Sequence, residues 1–229
     1  MMRSPFEVTM LVVAHATGQD PSWRRVLTAA GIRDRRILQA MEKVRRADFL
    51  PRSERVFEME DRPLEIGHGQ TTSQPSLIAV MLQELQLTRV CHVLEVGTGC
   101  GYQTALIAQL AEQVSSVELL EPLALEAQKQ LAQLGVLNAE VKVGDGYLGW
   151  PERGPFDGIV VSAAVPKVPA PLVAQLKNGG RLVIPVGTPD DSKLLIFEKD
   201  STGKVSQVKG ISVRFVPLMG ENAERDRHS

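Results

Sequence analysis

This chain of 229 residues has only two cysteines and four histidines. Cys91 and Cys100 flank a predicted strand. At about 3.3 Å per residue they stand roughly 20 Å or more apart, beyond the ~6 Å between alpha carbons that a disulfide needs. They are expected to be free thiols, as in a reducing, cytoplasmic compartment. His15, His68, His92 and His228 are scattered, and neither they nor the cysteines show metal-ligand spacing, so no metal is expected. Charge of one sign is lacking too: 26 basic residues face 27 acidic ones. That balance gives no broad electropositive field for nucleic acid and no polybasic patch for an anionic membrane. No apolar run approaches the ~20 residues needed to cross a bilayer. The opening "MMRSPFEVTMLVVAHATG" imitates a secretory leader, with Arg3, an apolar run and Ala14-His15-Ala16. Glu7 interrupts it, and the remaining apolar core of about seven residues is at the bottom of the leader range, so residues 1–20 read as an extension rather than a leader.

What is present is a hydrophobic content of 43%. A chain of this size forms one or two compact domains and buries roughly 70% of its unfolded surface. Residues 21–65 are mostly helical in pattern. "DPSWRRVLTAAGI" opens on an Asp-Pro cap and stops at Gly31, and "RDRRILQAMEKVRRADFLP" carries Ile37, Leu38, Met41, Val44 and Phe49 at helical spacing up to Pro51. The arginines here read as the solvated face of those helices. From Val90 the pattern alternates between apolar strand, glycine turn and helix, as expected of a parallel sheet covered by helices.

The strongest unit is "RVCHVLEVGTGCGYQTALIAQLAEQVSSVELLEP". Val93, Leu94 and Val96 form a buried strand, Gly97, Gly99 and Gly101 break it, and a helix resumes over Tyr102 to Leu110. Glycines are required where a backbone turns tightly and a ligand approaches without a beta carbon in the way. Alone the glycines are weak evidence. Glu118, with Leu119 behind it, ends the next strand about twenty residues on, where a carboxylate can accept from both ribose hydroxyls. The dinucleotide fingerprint sets its third glycine three residues after the second, to rest a pyrophosphate on the helix N-terminus. Here Glu95 precedes the loop, Thr98 and Cys100 separate the glycines, and Tyr102 and Gln103 follow. An acidic residue at the mouth suits a cationic, phosphate-free ligand, and S-adenosyl-L-methionine is one. After the strand "AEVKV", Asp145 and Gly146 either supply an acceptor for an adenine amine or make an ordinary Asp-Gly turn. "PFDGIVVSAAVP" predicts a further strand, "PLVAQLKNGGRLVIPVG" a helix, a Gly-Gly turn and a strand, and "KLLIFEKDSTGKVSQVKGISVRFVPL" closing strands about Asp200 to Gly203. The fold class is α/β, a doubly wound sheet with its site at the carboxyl ends of the strands.

One stretch remains. "EIGHGQTTSQPSLIAVMLQELQL" sets Thr71, Thr72 and Ser73 immediately before an apolar helical pattern. The simplest reading is a helix cap.

Together "DRPLEIGHGQTTSQP", "VLEVGTGCGYQTA", "GDGYLGWPERGPFDGIVVSAA" and "GGRLVIPVG" resemble the protein-L-isoaspartate (D-aspartate) O-methyltransferase family, from about Gly31 to Leu218. The first segment is the distinctive one. Departures are Thr72, where the family usually has isoleucine, Ser76 in place of an aromatic residue or histidine, and Cys100 in place of serine. The resemblance implies a mostly parallel seven-stranded Rossmann-like domain over 66–219, a polar tail over 220–229, and a monomer. It implies S-adenosyl-L-methionine as methyl donor and isoaspartyl proteins and peptides as acceptors. The methyl ester formed would pass through a succinimide to aspartate. It makes Ser73 the catalytic residue, with Thr71 and Thr72 assisting, and it sets an extended peptide beside "GISVRFVPL", which by pattern could equally be a core strand. A carboxylate acceptor with a pKa near 4 is already ionised and needs no general base, so alignment and removal of water limit the rate. Two alternatives stand beside this: a methyltransferase acting on another carboxylate, and a non-catalytic binding module with the same fold.

Overall fold

A computed structural model describes residues 23–188 and 191–223. The leader-like stretch and the Asp20-Pro21 cap lie outside the described residues. The front piece begins with α1 (Trp23–Ala29) and α2 (Arg35–Lys43). Asp34 caps α2 by accepting the Arg36 N–H at 2.8 Å, and Ile37, Leu38 and Met41 turn inward as their spacing predicts. The helix does not run on to Phe49. Val44 and Arg45 are extended, and Arg46–Phe49 forms a separate 3-10 turn. The break carries the Arg46 side chain inward until it is 1% exposed, so this arginine does not belong to a solvated face.

A hairpin follows, β1 (Leu64–Gly67) antiparallel to β2 (Gln70–Thr72). Its turn holds Gly67, His68 and Gly69 all at positive φ, at 90°, 53° and 70°. Glycine adopts that conformation freely, and three such residues in a row need it at most positions. Next comes α3 (Pro75–Leu85), with proline in its first turn, where a missing N–H costs nothing.

The main sheet contains β3 (His92–Val96), β4 (Gln113–Glu118), β5 (Ala139–Val143), β6 (Phe156–Val161), β7 (Leu176–Gly187), β8 (Ser192–Lys199) and β9 (Val205–Val213). Its helices are α4 (Tyr102–Leu110), α5 (Glu121–Gln133) and α6 (Ala170–Ala174). Strand order is β5-β4-β3-β6-β7-β8-β9, parallel through β7 and antiparallel at β8 and β9. The seven-stranded, doubly wound expectation is met. Chain direction across the sheet reverses between β3 and β6, and a crevice opens at the carboxyl ends of such neighbours.

Strand periodicity of two assigns each side chain a face. Val93, Val160 and Val183 join the core beneath α2, α3 and α4, while Leu94, Val96, Ile159, Val161, Leu182 and Ile184 join the opposite core with Leu172 of α6. The expected Gly-Gly turn before β7 is instead a bulge within it. Phe156 pairs with Leu176 and Gly158 with Arg181, so residues 177–180 loop out, with Gly179 at φ 81°. β9 pairs only with β8 and forms an edge of the sheet, so the first residues of "GISVRFVPL" lie on an edge strand, with Val213 packed into the core. The chain remains packed beyond Leu218: Ala223 is fully buried, and Asn222 donates to Asp145 at 2.8 Å.

Candidate active site

The crevice holds about 800 Å³ of empty space, part of it open to solvent. Its floor is the loop after β3. Gly97 donates to the Val117 carbonyl at 2.8 Å, and Gly101 to that of Thr98 at 3.0 Å, which locks the loop over the ends of β3 and β4. Gly97, Gly99 and Gly101 have φ of 91°, 53° and 87°. A beta carbon on Gly97 would only touch Ser162, at 3.4 Å, whereas one on Gly99 would crowd Ile66 of the hairpin at 3.1 Å. Glycine at these positions lets the loop take positive φ while lying close to Ser162 and the hairpin.

Of the residues expected to bind the donor, Gly97, Thr98, Gly99, Cys100, Tyr102, Gln103, Glu118, Leu119 and Gly146 line the crevice. Gly101 does not; it packs against Ala127 and Leu131 of α5. Glu118 is oriented by two backbone amides, Gly99 N–H at 2.8 Å and Leu120 N–H at 3.0 Å, one on each carboxylate oxygen. A carboxylate oxygen has two lone-pair sites, so both can still accept from a ligand.

Two acidic residues sit differently from expectation. Glu95 is fully buried and absent from the crevice lining. It shares the face of Val93, opposite Leu94 and Val96, and so points beneath α4. There it accepts from Thr104 Oγ1 at 2.5 Å, Ser116 Oγ at 2.7 Å and Gln103 Nε2 at 3.0 Å. Burial pushes its pKa up to about 7, against the pull of those donors. Gln103 gives its other amide hydrogen to Ser162 Oγ at 2.8 Å, and Thr98 Oγ1 lies 2.5 Å from Ser116 Oγ. Glu95 thus holds the crevice's polar walls from behind. Asp145 is likewise outside the lining. Its oxygens accept the Tyr147 N–H at 2.9 Å and Asn222 Nδ2 at 2.8 Å, the arrangement of a capped turn, and Gly146 is what reaches the crevice.

Thr71, Thr72 and Ser73 line the same crevice from the hairpin side, with Gln70 and Ile66. They do not cap α3. The N-cap is Gln74, and the carboxylate accepting from the first turn is Asp61, which takes the Ser76 N–H at 2.8 Å. Thr72 is buried and its hydroxyl meets the Cys100 thiol, whose pKa is pushed up by burial. Sequence reasoning missed Ser162, Ala163 and Met219, which complete the wall with Val216 to Leu218 of the "GISVRFVPL" stretch. Ser162 directly follows β6 and was open to discovery, because sites gather where strands end. Val216 to Met219 arrive by a bridge between Ala164 and Pro217, for which the sequence carries no local signal.

A doubly wound sheet, a glycine cradle without a phosphate fingerprint and an acidic residue closing the second strand define the class: an S-adenosyl-L-methionine-dependent methyltransferase. Among the described residues, no group of three or more His, Cys, Asp or Glu is placed to hold a metal ion. Residues 24–223 match the family Protein-L-isoaspartate(D-aspartate) O-methyltransferase (PCMT), and the chain belongs to it. It is 49% identical to the protein-L-isoaspartate O-methyltransferase of Trichlorobacter lovleyi over 195 residues, covering 85% of this chain and 90% of that protein. With the Myxococcus xanthus protein of the same name the figures are 46% over 204 residues, 87% and 96%. A solved structure described as a protein-L-isoaspartate O-methyltransferase from Plasmodium falciparum, in complex with S-adenosyl-L-homocysteine, superposes with a TM-score of 0.74. It is 25% identical to this chain and covers 87% of it and 97% of the other.

Proposed function

We propose that this enzyme repairs proteins by transferring a methyl group from S-adenosyl-L-methionine to the free carboxylate of L-isoaspartyl residues, giving an ester that passes through a succinimide to aspartate. The observation that carries the reading is the convergence of the hairpin hydroxyls and the glycine loop on one crevice, the hydroxyls freed from capping α3 by Asp61. The donor supplies an electrophilic methyl group on a positively charged sulfur. The chain supplies placement. Glu118 holds the ribose end, the Gly97 to Gly101 backbone leaves room for the methionine end, and Gln103, fixed by Glu95 and Ser162, turns its amide oxygen toward a cation. Ser73 lies between crevice and solvent, with no side-chain hydrogen bond among the described residues, and its neutral hydroxyl can orient an acceptor oxygen without quenching its charge. Alignment of this kind is worth on the order of 7–11 kcal/mol in favourable cases. β9, open on one side, offers backbone groups to an extended peptide, and register there separates isoaspartate from aspartate better than the ~1–3 kcal/mol of one methylene. We place the enzyme in the cytoplasm as a monomer; its two free thiols suit a reducing compartment.

Incubation with labelled donor and matched isoaspartyl and aspartyl peptides tests this. Label should enter the isoaspartyl peptide as a base-labile ester and leave the aspartyl one nearly unlabelled. Equal labelling, or none with donor bound, would overturn the assignment.

A further inference from the structure

Arg46 is the largest buried charged side chain of the front piece, and nothing in the donor site requires it. Its guanidinium reaches three backbone carbonyls. Nη1 donates to Glu60 O at 2.9 Å, and Nη2 to Arg62 O at 2.9 Å and Ser73 O at 3.1 Å. Glu60 and Arg62 lead into β1, whereas Ser73 follows β2, so one side chain ties both legs of the hairpin at its base. Its Nε–H, also buried, has no partner among the described residues.

No carboxylate stands within ion-pair distance of it among the described residues. The charged neighbours are committed elsewhere. Asp61 accepts the Ser76 N–H at 2.8 Å, and Glu58 accepts the Ala47 N–H at 3.1 Å and faces Arg45 at 4.0 Å, while Arg62 adds like charge. Cys100 and Tyr102, both on the crevice wall, feel the Arg46 charge. An isolated buried cation is costly unless hydrogen bonds and a counter-charge offset it. Carbonyl oxygens supply the hydrogen bonds, while Asp61 offsets the charge only from beyond ion-pair distance.

We propose that Arg46 is a positioning residue for the acceptor: it clasps the hairpin so that Ser73 faces the crevice, and its charge, offset by no close ion pair, makes that seat favourable for a carboxylate. The inference rests on reading the hairpin as the acceptor's seat. Lysine keeps the charge but, as a compact point donor, cannot span both legs. Arg46→Lys should lower kcat/KM for an isoaspartyl peptide at least tenfold, and Arg46→Met further, while the affinity for S-adenosyl-L-homocysteine stays within threefold in both. Equal loss of donor affinity, or wild-type kcat/KM in Arg46→Lys, would overturn the assignment.

A second measurement needs no variant. Mobile ions screen exposed charges but hardly reach a buried one. The wild-type preference for an isoaspartyl peptide over its carboxamide counterpart, measured as competitive inhibition, should change less than twofold between 50 mM and 500 mM salt. Collapse of the preference at high salt would assign it to surface charges and remove Arg46 from the seat. Ser73→Ala separates the two levels: unchanged turnover there sinks the hairpin reading itself, whereas slow turnover there with normal Arg46 variants sinks only this inference.

Discussion

The two walls of the crevice are built on opposite plans. On the side proposed for the donor, the loop from Gly97 to Gly101 and the carboxylate of Glu118 are held at the ends of neighbouring parallel strands, and backbone amides orient the acid. On the side proposed for the acceptor, a short two-stranded hairpin outside the main sheet carries the hydroxyls, and it is fastened by long-range side chains, Arg46 at its base and Asp61 beside it. A rigid sheet suits a donor that binds the same way every turnover. A pinned hairpin suits an acceptor that arrives within many different chains, because few intrinsic bonds need to break for it to shift.

The widest separation of the two walls is expected from Ser73→Ala. Loss of one aligned hydroxyl at a developing reaction centre costs about 10²–10³ in turnover, by analogy with removal of an oxyanion donor. Donor affinity, read by calorimetry with S-adenosyl-L-homocysteine, should stay within about threefold, the margin left by a side chain that bonds nothing in the donor cradle. Parallel loss of both would mean that the walls are one unit.

Glu95 sharpens the comparison through pH. Its folded pKa of about 7 stands above the ordinary 4.5. The folded state therefore binds this proton more tightly than the unfolded state does. The associated stability is fully present below pH 4.5 and is lost as pH rises to about 7, an effect on the order of 3 kcal/mol. In Glu95→Gln this slope should vanish from denaturant midpoints measured between pH 5 and 8. An unchanged slope would move its origin to another group.

Glu118→Gln keeps the shape and removes the charge from the ribose end. Hydrogen bonds to a charged group contribute about 1.5–3 kcal/mol, so the donor's Kd should rise roughly tenfold to a hundredfold. Turnover at saturating donor should hardly move. A large drop in kcat with unchanged Kd would place the nucleoside elsewhere.

The same division decides what could be read from the sequence. The donor wall is local: strand, glycines and helix fall within eighteen consecutive residues of "VLEVGTGCGYQTALIAQL", and α4 begins and ends at the expected Tyr102 and Leu110. Glu95 was misplaced because adjacency in sequence suggested the loop mouth, whereas strand alternation sends its side chain to the face of Val93, beneath α4. The acceptor wall is non-local. The helical spacing through Val44 and Phe49 concealed a break, because what ends α2 there is the inward course of Arg46 to carbonyls 14 to 27 residues away, which no periodicity reports. Asp61 displaced the hydroxyls as the cap of α3 in the same way, from 15 residues upstream.

Cys100 is where the walls touch, and its substitution should do least. Its thiol sits in the glycine loop, meets the Thr72 hydroxyl of the hairpin and packs with the small cluster of Leu50, Leu64, Ile66 and Leu123. Serine is smaller and more polar but can bond the same hydroxyl. Cys100→Ser exchanges one weak sulfur partner for an ordinary hydrogen bond and gives up some apolar contact, two changes of about 1 kcal/mol each with opposite sign. Turnover, acceptor KM and donor Kd should all stay within about threefold, and the melting temperature should move by only a few degrees. If donor affinity and turnover instead fell together by tenfold or more, the hairpin and the glycine loop would be mechanically continuous through this contact. The separate effects expected of Ser73 and Glu118 would then have to be measured in a background where the contact is absent.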